Sequence, residues 1–131
     1  MDSDELLTGV TFPVWSGRCG FGVEEFARRH GDFALAGAVT AVQIDGDGTV
    51  QRCAVALIGL GSTPLRATAV ESAAAGRRVQ EIDAVEVGNQ AVADLDGIPS
   101  DLHAPARYRR QIASVVTARA WAAAAREALG E

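Results

Sequence analysis

The sequence has no lysine: all 12 of its basic residues are arginine, against 17 acidic ones, for a formal charge of −5. That balance argues against a general nucleic-acid binder, which needs a basic face for phosphates. The all-arginine usage reads as a coding bias rather than as phosphate recognition. Aromatics are scarce at 5 %, although 48 % of the residues are apolar. The core must therefore be built from alanine and valine, with elements packed closely. Two cysteines, Cys19 and Cys53, make no disulfide framework, and no metal-ligand spacing occurs. No window is apolar for long enough to span a bilayer. The start "MDSDELLTGV" lacks the basic and apolar regions of a signal peptide. These absences leave a cytoplasmic protein with no membrane and no nucleic acid among its expected partners.

A chain of 131 residues fits one domain, with roughly two-thirds of its unfolded surface removed from water. Strands come first and helices later. Leu6 to Val14 reads as a short strand, and the glycine-rich Trp15 to Gly22 as a loop. Val23 to His30 reads as a short extra helix. Glu24 and Glu25 lie in its first turn, Arg28, Arg29 and His30 in its last, and Gly31 closes it, an order that suits the helix dipole. Phe33 to Ile44 and Val50 to Leu60 read as long strands joined by "DGDGT", a hairpin signal. In the second of them Arg52, Ala54, Ala56 and Ile58 share one face, and Cys53, Val55 and Leu57 the other.

After "GLGSTPLRA" the pattern turns helical. Thr68 to Glu71 fits a capping box for a helix ended by Gly76. Asp83 to Glu86 starts a second helix, running to about Leu95. Pro105 opens a third that ends at Leu129 before Gly130. Its stripe is taken as Tyr108, Ile112, Val115, Val116, Ala120 and Ala123, with Tyr108 toward the core and Arg109 and Arg110 toward solvent or a partner. The expected fold is α+β: a three-stranded antiparallel sheet packed against a three-helix bundle, with the short extra helix near the N-terminus.

Few residues carry chemistry. Arg28, Arg29, His30 and Asp32 form the densest cluster, and helix-end rules account for most of it without any site. "GLGSTP" lacks the Lys-Ser/Thr of a P-loop and is not G-x-G-x-x-G. "DGDG" lacks the later bidentate glutamate of a calcium loop. A catalytic cysteine needs a paired base; Cys53 falls mid-strand and reads as core, while Cys19 falls in a loop, where its reactivity stays open. No Ser/His/Asp or HExxH signature occurs.

Four stretches, in order, carry a resemblance: "ELLTGVTFP" (Glu5 to Pro13), "EEFARRHGDFALAG" (Glu24 to Gly37), "VALIGLGSTPLRA" (Val55 to Ala67) and "DLHAPARYRRQIASVVTARA" (Asp101 to Ala120). Together they resemble the C-terminal domain of the FAD-carrying medium subunit of molybdenum hydroxylases, the carbon monoxide dehydrogenase and xanthine dehydrogenase family. The resemblance implies antiparallel strands packed on a three-helix bundle. It also implies that Arg28, Arg29, His30, Gly31, Asp32 and Phe33 border the flavin, at the interface with a separate flavin-binding domain. No stretch of this sequence matches that flavin-binding domain. The expectation is therefore a stand-alone copy that binds no cofactor on its own, with FAD present only when the chain is paired with a flavin-binding domain.

Three functions follow as expectations. The first is an accessory or split subunit that completes a molybdenum hydroxylase-type oxidoreductase by docking on another subunit. The second is a repurposed cofactor-free cyclase or isomerase acting on a small molecule. In it His30 and Asp32 would serve as general acid and base, and Arg29 would stabilise developing negative charge. The third is a homo-oligomeric binding module.

Overall fold

A computed structural model describes residues 2–131. The element order is β1 (Arg18–Phe26), β2 (Ala36–Ile44), β3 (Val50–Ile58), β4 (Leu65–Arg66), α1 (Thr68–Ala74), α2 (Ala84–Ala93) and α3 (Ala106–Leu129), with a 3-10 turn at Val79–Glu81. The four strands form one antiparallel sheet in sequence order. The α+β class therefore stands, with four strands in place of the expected three.

The first strand is the main correction. Leu6 to Val14 has no regular secondary structure, and the short helix expected over Val23 to His30 is absent. Residues 18–26 form β1 instead, paired with β2 so that Gly20 faces Val42 and Gly22 faces Thr40. The reason lies in the glycines that read as loop. A Cβ on Gly20 would come 1.9 Å from the Ala124 carbonyl oxygen, and one on Gly22 would come 2.0 Å from that of Ala120. The backbone of α3 rests directly on the β1 backbone, which only glycine permits in a strand. Glu24 and Glu25, which suit a helix start, lie on this strand because sheet pairing and the α3 contact outweigh local charge order.

The β2–β3 hairpin follows its sequence signal. The Asp45 carboxylate accepts from the backbone N–H groups of Asp47 and Thr49 at 2.9 Å each, which closes the turn. Facing alternation along β3 also holds, with Val55 and Leu57 fully buried and Arg52 exposed.

Helix α1 has no side-chain cap, because Ala67 rather than Thr68 is the N-cap residue. The carboxylate of Glu71 turns outward from the expected box. It accepts from the Val55 N–H at 2.9 Å and from Arg66 at 2.8 and 2.7 Å, tying α1 to β3 and β4. Burial opposes the charge on Glu71, but Arg66 and the Val55 N–H outweigh it and hold its pKa below the usual carboxylate range. Asp83 caps α2 through the Val85 N–H at 2.8 Å, as its sequence position predicts. Gly130 ends α3 in the left-handed conformation.

Helix α3 packs on β1 and β2 with one side and on α2 with another. Its buried stripe is Arg109, Ala113, Val116, Thr117, Ala120, Trp121, Ala124 and Ala128. Tyr108 is exposed, and Arg109 is buried at 6 % exposure, which reverses the expected facing of both. Ile112 and Ala123 are only half-buried, and Val115 is exposed. Trp121 is the largest fully buried side chain of a core otherwise made mainly of alanine, valine and leucine. Among the described residues no helix is long and apolar enough to cross a membrane.

Candidate functional site

The charged cluster sits on the loop between β1 and β2. The Leu35 N–H donates to the Phe26 carbonyl at 2.8 Å, which closes the loop at its base. Gly31 turns the chain at φ 85°, and the Asp32 N–H donates to the Arg29 carbonyl at 3.2 Å. Arg28, Arg29, His30, Gly31 and Asp32 are all exposed. Phe33 is 99 % exposed at the tip, although it is the largest apolar side chain in the loop.

This exposed loop has a rigid base, and the residue responsible was misread from sequence. One guanidinium nitrogen of buried Arg109 donates to the Leu35 carbonyl at 2.8 Å, and the other donates to the Asp101 carboxylate at 2.6 Å. The same carboxylate accepts from the His103 N–H at 2.8 Å and the Ala104 N–H at 3.0 Å. Arg109 thus ties two loops, residues 27–35 and 101–104, to the first turns of α3. The two backbone donors and Arg109 pull the Asp101 carboxyl down to about 2, the Ala104 N–H being the largest influence and Arg109 the next.

His103 enters the site through this tie, and the sequence reading had passed over it. Together with Arg28, Asp32, Phe33 and Leu35 it lines a shallow depression of about 190 Å³. Arg28, Arg29, His30 and Gly31 line a different one, of about 300 Å³, with Glu25 and Ala27. His30 and Asp32, the acid–base pair of the cyclase expectation, thus face separate depressions. No hydrogen bond or ion pair joins them among the described residues. The periodicity of α3 held the clue to Arg109, which lies one turn before Ala113 on the alanine stripe.

The other candidates resolve as structure. Burial, followed by nearby Glu71, pushes the Cys53 thiol up to about 11, so it is no thiolate nucleophile. Cys19 donates to the Ser16 carbonyl at 3.2 Å. Arg110 donates to the carbonyls of Val92, Ala93 and Leu95 and so caps the C-terminal end of α2. The "GLGSTP" stretch carries the chain from β3 into β4. Among the described residues no group of His, Cys, Asp and Glu is placed to hold a metal ion.

The fold and sequence have known counterparts. A family profile described as the CO dehydrogenase flavoprotein C-terminal domain matches residues 22–124. Caffeine dehydrogenase subunit beta from a Pseudomonas species is 38 % identical over 132 residues, covering 95 % of this chain and 42 % of that protein. The 6-hydroxypseudooxynicotine dehydrogenase complex subunit alpha of Paenarthrobacter nicotinovorans is 32 % identical over 120 residues, covering 92 % of this chain and 40 % of that protein. Among solved structures, carbon monoxide dehydrogenase from Hydrogenophaga pseudoflava superposes with a TM-score of 0.77 at 30 % identity, covering 86 % of this chain and 38 % of that one. The chain thus spans about two-fifths of the length of the curated relatives it matches. The fold and these matches together place the chain in the family of C-terminal domains of CO dehydrogenase-type flavoproteins, the medium subunits of molybdenum hydroxylases.

Proposed function

We propose that this chain completes the flavin subunit of a molybdenum hydroxylase-type oxidoreductase by docking on a flavin-binding domain, with the β1–β2 loop as the contact. The observation that carries this reading is Phe33, an aromatic side chain held in water at the tip of a loop whose base is fixed by buried Arg109. An exposed aromatic on a loop anchored at its base suits an interface. Leu102, on the second tied loop, is likewise fully exposed.

The surroundings of the β1–β2 loop do not form a cradle for FAD. The depressions beside the loop, about 300 and 190 Å³, are small and shallow for a dinucleotide. The chain's one glycine-rich stretch after a strand feeds a second short strand, not a helix N-terminus that would hold a pyrophosphate. We therefore assign FAD to the partner domain, where it would supply electron transfer. Arg28, Arg29, His30, Gly31, Asp32 and Phe33 would then wall one side of it and exclude water.

The test is to mix the purified chain with an FAD-loaded flavin-binding domain and follow co-elution and flavin retention on dilution. Co-elution with slower flavin loss supports the reading, and Phe33→Ser should weaken both. Independent elution with unchanged flavin loss overturns it.

A further inference from the structure

An open groove of about 640 Å³ runs between α2 and α3 and shares no lining residue with the two depressions beside the β1–β2 loop. One wall is a ridge of α3. Arg107, Gln111, Val115 and Arg119 follow one another at i, i+4 spacing, and all four are exposed. Val85, Asn89 and Val92 of α2 form the other wall. Val85 and Val115 are exposed, so the groove keeps apolar side chains in water.

The two walls are tied together. A Cβ on Gly88 would come 2.2 Å from the Ser114 carbonyl oxygen, so the helices touch there at backbone distance. The Ser114 hydroxyl donates to the Asn89 side-chain oxygen at 2.8 Å. Arg110 is occupied by the Val92, Ala93 and Leu95 carbonyls at the end of α2. Arg107 and Arg119 are different: neither has a hydrogen bond or an ion pair among the described residues. Three arginines line the groove and no carboxylate does, in a chain whose formal charge is −5. Along α3 the two unpaired arginines stand about 18 Å apart at ~1.5 Å of rise per residue, a span of roughly three helical turns. One small anion cannot touch both.

We infer that the α2–α3 groove docks an acidic amphipathic helix of a partner protein, with its apolar stripe on Val85 and Val115 and a carboxylate at each end on Arg107 and Arg119. An exposed i, i+4 ridge beside a groove is the form that receives a second helix. The arginines select the sign of the incoming charge, and the valines supply the apolar contact. The inference goes beyond the function proposed above and does not rest on it, since it uses another surface and no flavin.

The probes are two synthetic amphipathic helices of about 15 residues with the same leucine stripe, one carrying glutamate at both ends and the other lysine. Each is titrated into the full isotope-labelled chain and followed by amide chemical shifts. The glutamate peptide should shift Val85, Asn89, Val115 and Ala118, bind about tenfold or more tighter than the lysine peptide, and weaken as salt rises. Arg107→Glu/Arg119→Glu should abolish that preference, and Arg107→Gln/Arg119→Gln should reduce it. Arg78→Glu/Arg126→Glu makes the same charge change at exposed positions outside the groove and should keep it. No binding, equal binding of the two peptides, or an equal loss in the Arg78/Arg126 pair overturns the inference. The same shifts from octanoate alone also overturn it, because the groove then takes a small amphiphile. So does a dimer of the free chain that Val115→Asp dissociates, because a second copy then fills the groove. None of these outcomes touches the docking proposed for the β1–β2 loop.

Discussion

The seam between α3 and β1 and the two exposed stretches that flank β1, the N-terminal segment and the β1–β2 loop, use apolar residues in opposite ways. At the seam, glycine and alanine let two backbones touch, and no large side chain intervenes. On the surface Phe12, Val14 and Phe33 are large and bare. Close packing of small groups recovers dispersion and excludes water with little side-chain entropy lost. Large exposed groups recover nothing until a second surface meets them. Core packing and the proposed docking thus fall to different residue types in different places, and each can be perturbed alone.

The largest effect should come from Trp121→Ala, which removes the largest fully buried side chain of the core and should cost about 3–5 kcal/mol in urea unfolding. Gly22→Ala should come next, at or just beyond the upper end of the ~1–3 kcal/mol seen for overpacking, because the new methyl meets backbone rather than a movable side chain. A third test acts at the junction of the two regions. Asp101 has its pKa lowered in the fold, so its contribution is complete above its unfolded pKa of 3.8 and is lost as pH falls toward about 2. Asp101→Asn should remove that pH dependence and speed tryptic cleavage after Arg28 and Arg29, because Arg109 then loses its charged partner. The smallest effect on folding should come from Phe33→Ser, within about 0.5 kcal/mol of the parent. A large loss there would mean the loop tip packs on its own domain and would erase the contrast.

Much of the fold was legible because period and punctuation agree. Asp45 to Thr49 closed its hairpin, Asp83 capped α2, and Pro105 and Gly130 bracketed α3. The failures have one physical source. Local rules weigh charge and side-chain size, whereas the α3–β1 seam is built from the smallest side chains. Gly20 and Gly22 therefore read as loop, and the alanine stripe of α3 lost out to Tyr108, Ile112 and Val115. Arg109 was missed for a related reason. A buried arginine is legible only through its partners, and Leu35 is 74 residues away. The loop from Arg28 to Phe33 stands out by charge density and by resemblance, which makes it a candidate only. Its attachment to Asp101, and the company of His103, required the fold.

The two tryptophans differ in the same way. Trp121 is enclosed in the core, and among the described residues its indole N–H has no hydrogen-bond partner. Trp15 lies at the root of the exposed segment, beneath the Arg52 cation. Each therefore reports on a different event. Emission from Trp121 should stay blue-shifted until the core opens. Emission from Trp15 should instead follow the chain's entry to β1, changing when the Arg52 cation leaves its ring. Unlabelled protein thus carries separate optical signals for the core and for the entry to β1, and either tryptophan can be silenced by a Trp→Phe change to read the other.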